Sequence, residues 1–322
     1  MGLRCVMPAL HLSLVSMRYF IGMGTMSLPE MGVDPAPEQL FSLAALYRAW
    51  RLVRRSGSSA GTDRVTPQEF ERQLEDELTH LRHDILSGQY QPKPVNRFYL
   101  PKPNGKQRPI TVWTVRDRIA QRVVLDYLTP ILESVFLDCS YGFRPGRSVV
   151  DAIGAVIRTR DRHLRWVVDA DITACFDSIS PELLMPQVRN LVPSRLVIHL
   201  IEQWLNTPVY KHPHIRAGVS QGGVISPQLA NLYLHRFDQM IQAALPEVTL
   251  VRFADDFVIL CRRKREAWWS LAVAQRSLAN LKLYLNMEKT RVTHFDEGFS
   301  FLGITFKGGW HSPLLGHSPI TE

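Results

Sequence analysis

Two adjacent carboxylates, Asp255 and Asp256, stand inside a stretch that is otherwise largely apolar from Leu250 to Cys261. Like charges side by side repel, and removing them from water raises the cost further. A surface turn carries such a pair freely, because Asp is a common turn residue. A second acidic segment points to chemistry. Val167-Val168-Asp169-Ala170-Asp171 reads as a buried strand ending in carboxylates, followed closely by Cys175-Phe176-Asp177. A strand ending in Asp beside a hairpin tipped with Asp-Asp gathers three carboxylates around two divalent ions. Two such ions activate an attacking hydroxyl and stabilise a leaving pyrophosphate in an in-line displacement.

Other segments carry what nucleotide transfer needs. Lys102, Lys106 and Arg108 lie on or beside an expected hairpin, where cations clamp a triphosphate, although solvated charges on a surface hairpin look the same in sequence. Gly218-Val219-Ser220-Gln221-Gly222-Gly223 precedes a helix, and its glycines allow backbone to approach a nucleotide closely. It is neither a dinucleotide fingerprint nor a P-loop.

The elements that must position these groups follow from periodicity. A helix is expected through Leu43, Leu46, Tyr47 and Trp50, closing on Arg51, Arg54 and Arg55, with a turn over Ser56 to Gly61. Thr66-Pro67-Gln68-Glu69 is a capping box opening one helix that carries Phe70, Leu74, Leu78, Leu81 and Ile85 and stops at Gly88. Asn104-Gly105 between two short runs signals a hairpin. Further helices are expected over 118–135, from Ser180-Pro181, from Ser226-Pro227, and over 265–281. Strands are expected over 166–171, on both sides of Asp255-Asp256, and within 284–306. The order is mixed α+β rather than a regular βαβ repeat.

Composition narrows the class. The chain of 322 residues has 38 Lys and Arg against 30 Asp and Glu, a net charge of +8, and is 45% hydrophobic, so it can build a sizeable core. From Arg97 to Arg165 there are 13 Lys and Arg against 6 Asp and Glu, so the basicity is concentrated where a polyanion would bind. Cys5, Cys139, Cys175 and Cys261 are scattered without C-x-x-C spacing, which excludes a zinc ribbon or disulfide scaffold and fits a reducing cytoplasm. No run reaches the roughly 20 uncharged apolar residues of a membrane span. The apolar first 27 residues are interrupted by Arg4 and Arg18, which does not suit a signal peptide. Residues 1–37 are expected to be poorly ordered.

Taken together, the residues resemble a reverse transcriptase of the bacterial group II intron type, from about Leu43 to Phe306. Pro101 to Pro109 and Thr114 to Arg118 resemble the family's fingers motifs, and Ser140-Tyr141-Gly142-Phe143-Arg144-Pro145-Gly146-Arg147-Ser148 is similar to its most recognisable block. Asp169 to Asp177, Gln221 to Pro227 with Leu229-Ala230-Asn231, and Phe253 to Asp256 resemble the three palm motifs in order. Asn286 to Thr290 and Phe299 to Gly303 resemble the last two.

The resemblance implies a right-hand polymerase palm, an antiparallel sheet with packed helices, plus fingers. It implies an N-terminal extension and fingers over 38–164, a palm over 165–306, and a short tail over 307–322. Asp171, Asp255 and Asp256, with the backbone at Ile172, would hold two Mg2+ ions, with Mn2+ as a substitute. Lys289 would donate a proton to pyrophosphate. Lys102, Lys106 and Arg108 would hold the triphosphate, and Gln221 and Gly222 would contact the nucleotide or template. Phe176 would be a steric gate favouring deoxynucleotides, unless it is plain core. Phe301, Leu302 and Gly303 would grip the primer. The implied partners are an RNA template, a DNA or RNA primer and dNTPs, with intron RNA or a dedicated non-coding RNA as the template source. No membrane partner is implied, and oligomeric state is not set.

Phe253 stands where the family usually has Tyr, and Val219-Ser220 where it usually has Thr-Pro. The 16 residues after Phe306 are too few for the family's three-helix thumb, so a thumb is expected to be absent. An RNA-dependent RNA polymerase on the same palm, and a maturase-like RNA-binding or defence- or CRISPR-associated factor with weak or no polymerase activity, are the alternatives.

Overall fold

The computed structural model describes residues 34–56, 59–101, 105 and 107–313. Lys102 and Lys106 therefore lie outside the described residues, as do most of the expected N-terminal segment and the end of the expected tail. The short α1 (Pro37–Leu40) leads into α2 (Leu43–Arg55), where the Ser42 hydroxyl accepts from the Ala45 amide at 3.4 Å. The Thr66–Glu69 capping box opens α3 (Pro67–Arg72) as expected.

The helix expected to run on to Gly88 is instead broken at Gln73, whose φ of −124° and ψ of 32° leave the helical region. A new helix, α4 (Leu74–Leu86), begins there with Glu75, Asp76 and Glu77 in its first turn, where carboxylates complement the positive end of the helix dipole. Apolar spacing runs through the break because Phe70 still faces the core, 5.3 Å from the Trp50 ring.

Strands β1 (Asn96–Pro101) and β2 (Gln107–Val112) form the expected hairpin, with Gly105 at φ +76°. Helix α5 (Val115–Glu133) starts three residues earlier than its apolar pattern suggests, because Thr114 caps it by accepting from the Asp117 amide at 3.1 Å. Helix α6 (Val149–Asp161) was not among the expected helices. It is opened by a second capping box, Ser148 with Asp151.

Next come β3 (Trp166–Asp171), the single turn α7 (Cys175–Ser178), α8 (Pro181–Leu191) and α9 (Arg195–Asn206). A small hairpin, β4 (Pro208–Val209) with β5 (His212–Arg216), precedes α10 (Ser226–Ala244). The chain ends with β6 (Thr249–Phe253), β7 (Asp256–Cys261), α11 (Lys264–Asn280), β8 (Arg291–His294), β9 (Phe299–Phe301), β10 (Ile304–Lys307) and β11 (Trp310–His311).

The central sheet is antiparallel in the order β6-β7-β3-β8, and strand alternation divides the core between its faces. Val168, Ala170, Phe257, Ile259 and Cys261 face one way, into a large core with α5, α10 and α11. Val167, Val251, Val258 and Leu260 face the other, against Ala152, Ile153 and Val156 of α6 and an aromatic cluster of Phe295, Phe299 and Phe306. On this second face the apolar residues stop near the strand ends. Asp169, Asp171 and Asp256 take the next positions in the same alternation.

Candidate active site

Register puts two of the expected carboxylates opposite each other. Asp171 ends β3 and Asp256 starts β7, and the two are paired across the ladder, as are Phe253 and Asp256 across the β6–β7 hairpin. The turn is left-handed at Ala254, φ +55°, with Asp255 at its tip. Close backbone approach holds it: a Cβ on Gly142 would lie 2.6 Å from the Ala254 nitrogen, so only glycine fits. The same loop hydrogen-bonds the strand, Tyr141 donating to the Arg252 carbonyl and the Arg252 amide to that of Cys139, each at 2.8 Å.

Beneath the turn lies a buried polar network that sequence reasoning missed. The Arg252 guanidinium donates to both Asp238 oxygens, at 2.7 and 2.5 Å, to Asn231 and Ala254 at 3.0 Å, and to the Ser140 hydroxyl at 2.9 Å. Arg252 is 0% and Asp238 1% exposed. Their separation along the chain carries no local signal, which is why the pair was invisible in sequence.

The carboxylates perturb one another. Burial, the neighbouring charges of Asp255 and Asp171, and a shared hydrogen bond with Asp171 push Asp256 up to about 7, although its side chain reaches solvent. Asp255 is also raised, chiefly by burial and further by Asp171, while the charges of Arg108 and Lys289 oppose the shift. Asp171 is tied down from the other side. The Lys289 ammonium donates to its Oδ2 at 3.0 Å, the Asn286 side chain to the same oxygen at 3.3 Å, and the Asn286 amide to its carbonyl at 2.8 Å. That bond to Asp171 holds the lysine's pKa above its ordinary value. Asp169 is engaged separately by Arg291 at 3.2 Å.

One cleft joins several of the expected groups. Asp169, Asp171, Asp256 and Lys289 line it together with Phe301, Leu302 and Gly303, the turn between β9 and β10 where Leu302 and Gly303 take φ of +50° and +78°. Arg108 and Gln221 are not among the residues lining this cleft but meet each other, the Arg108 Nε donating to the Gln221 side-chain oxygen at 2.5 Å. The Thr111 amide also donates to the Gln221 carbonyl at 2.7 Å, which seats the β1–β2 hairpin on the glycine loop. Gly222 makes that seat possible: φ is +108°, and a Cβ would lie 2.2 Å from the Thr111 carbonyl oxygen. Phe176, on α7, is half-buried against the larger core and does not line the cleft.

The donor set suits a hard cation. Asp171, Asp255 and Asp256 present carboxylate oxygens whose mutual repulsion a positive charge relieves, and the Lys289 ammonium already supplies one beside them. Among the described residues, no group of three metal-ligating side chains forms a ready-made cage, so side-chain rotation would have to complete one.

A four-stranded antiparallel sheet with helices packed on both faces, paired carboxylates at adjoining strand ends and a turn lining the cleft is the palm of a nucleotidyltransferase of the polymerase kind. The chain belongs to the reverse transcriptase (RNA-dependent DNA polymerase) family, whose model matches residues 100–306. It is 35% identical over 292 residues to protein YkfC of Escherichia coli K12, covering 78% of this chain and 77% of that protein. It is 27% identical over 315 residues to the group II intron-encoded protein LtrA of Lactococcus lactis, 77% of this chain but only 52% of LtrA. The fold is also that of telomerase from Candida albicans, with a TM-score of 0.54 at 13% identity, covering 74% of this chain and 48% of the other. Among the described residues no helix is long and apolar enough to cross a membrane, and Cys139, Cys175 and Cys261 are unbridged.

Proposed function

We propose that this chain is an RNA-directed DNA polymerase of group II intron type, extending a primer 3′-OH with dNTPs on an RNA template. The observation that carries it is the pairing of Asp171 with Asp256 across β3 and β7, with Asp255 on the adjoining turn and Lys289 on Asp171. Residues 38–164 would serve as N-terminal extension and fingers, and 165–306 as palm.

Asp171, Asp255 and Asp256, with the Ile172 carbonyl, would hold two Mg2+ ions. When bound, these supply activation of the 3′-OH and neutralisation of the leaving pyrophosphate. The chain's own residues do the rest. Arg108, already placed by Gln221, binds triphosphate oxygens by charge-assisted hydrogen bonds. The Lys289 ammonium, 3.0 Å from Asp171, would donate a proton to the departing pyrophosphate once released from that carboxylate, whose bond to it opposes donation. Phe176 sits against the sugar C2′ and disfavours ribonucleotides, and the Phe301–Gly303 turn orients the primer end toward the carboxylates. Template and primer lie along the basic segment 97–165, in the cytoplasm, with intron RNA or a dedicated non-coding RNA as template.

Primer extension on an RNA template with dNTPs and Mg2+ tests this directly. Wild type should extend, and the Asp255→Ala/Asp256→Ala double variant should lose about a thousandfold or more of the rate. A folded wild-type chain that binds structured RNA yet never extends a primer would overturn the polymerase in favour of a splicing-type RNA-binding factor.

A further inference from the structure

Helix α11 covers the sheet face opposite the carboxylates. Its buried stripe, Ala267, Leu271, Ala274 and Leu278, shares a core with Val168, Phe257, Ile259 and Cys261. Its outward face presents two adjacent indoles, Trp268 at 54% and Trp269 at 64% exposure, which no described element covers. Four consecutive cations, Arg262, Arg263, Lys264 and Arg265, lead into it, all exposed. Arg265 stands three residues before Trp268 and four before Trp269, the spacing that makes side chains neighbours on a helix. Arg276 continues the exposed surface a further two turns along.

Arg263 is paired, its Nε 3.8 Å from a Glu266 oxygen, so three of the four cations exceed the local acid. The Glu266 carboxylate is occupied, accepting from the backbone amides of Arg262 and Arg263 at 3.2 Å. The Lys264 ammonium lies 5.3 Å from the centre of the Trp166 ring, so indole faces already meet cations here. Trp269 also forms one wall of a shallow groove with Leu245, Pro246 and Val248, which two carboxylates, Glu247 and Glu266, line as well, so bases rather than phosphates would enter it.

We infer that this outward face of α11 is a second nucleic-acid site, for single-stranded RNA, remote from the cleft and separate from template binding there. A protein partner would have to bring an acid for each arginine, whereas a phosphate backbone meets a row of cations with a row of anions. The indoles supply what cations cannot: flat faces on which unpaired bases stack regardless of sequence. From Lys264 to Arg276 the helix rises about 18 Å, enough for a short single-stranded segment.

The test uses the full chain and a single-stranded RNA oligonucleotide carrying 4-thiouridine. Photocrosslinking followed by peptide mapping should place adducts on the Trp268–Trp269 segment, and Trp268→Ala/Trp269→Ala should weaken single-strand binding about 10- to 100-fold. Trp268→Phe/Trp269→Phe should retain most of the affinity. Arg262→Gln/Arg265→Gln should lower the slope of log affinity against log salt by about 1.4. The alanine variant should keep the wild-type melting temperature and rate of primer extension, so failure here is distinguishable from failure of the polymerase reading. Unchanged RNA affinity with no adducts on α11 would overturn the proposal. So would an alanine variant whose only change is in sedimentation, which would make this face a contact between copies of the chain.

Discussion

Arg252 and Asp238 form a bidentate ion pair wholly inside the protein, joining β6 to α10 directly beneath the Asp255 turn. Because the same guanidinium also donates to the Ala254 carbonyl, the pair fixes the backbone on which Asp255 stands. Asp238→Ala leaves a buried charge without a partner and should cost about 3–5 kcal/mol in urea unfolding. Replacing both residues with apolar ones of similar volume should restore much of the stability but not the rate of primer extension. Arg252→Lys should also slow extension, because an ammonium lacks the guanidinium's planar fork.

Asp117 sets a pH dependence of stability away from the carboxylate cleft. It is buried in α5, accepting from the Tyr90 and Thr114 hydroxyls at 2.6 Å each, and burial pushes it up to about 6. A carboxyl raised in the folded state binds its proton more tightly there than in the unfolded chain. Its stabilisation is therefore complete below about pH 4 and lost as pH rises through about 6. Unfolding free energy should fall across that window by about 3 kcal/mol or less from this group. Asp117→Asn, measured by denaturant titration at several pH values, should flatten the slope.

Gly222→Ala should act on the fingers rather than on the carboxylates. The added methyl must displace the Thr111 carbonyl, and the positive φ adds backbone strain of about 1–3 kcal/mol. The β1–β2 hairpin should detach from the Gln221 loop, removing Arg108 from its place. Steady-state kinetics should show the apparent KM for dNTP rising about tenfold or more, with the melting temperature lowered by only a few degrees.

Phe176→Ala should relax sugar discrimination. Single-nucleotide incorporation on an RNA template should show the preference for dNTP over NTP falling by about tenfold or more. An unchanged preference, with the variant still folded, would assign this ring to the core alone.

Much of the architecture could be read along the chain because its signals are local. The β3 strand, the acidic hairpin, the Thr66–Glu69 capping box and the helix starts at Pro181 and Ser226 follow from periodicity and caps, interactions spanning a few residues. The break at Gln73 was hidden because apolar spacing continued across it. Helix α6 was legible but not read: the Ser148–Asp151 capping box opens a stripe of Val149, Ala152, Ile153 and Val156 at spacings of three and four. By contrast, the Arg291 partner of Asp169 could not be foreseen, since it arrives on β8 from far along the chain.

By itself the amino-acid order determined which residues can ionise, where strands and helices start, and, through the succession of motifs, which family the chain belongs to. Tertiary structure decided which charges share a space. Strand pairing set Asp171 against Asp256, and alternation turned Asp169, Asp171 and Asp256 toward one cleft and α11 toward the other side. It also brought the Arg108 charge within reach of Asp255 and left Trp268 and Trp269 outward. Charge repulsion, burial and close backbone approach depend on distances in space, and distances in space are set only when distant segments of the chain pack together.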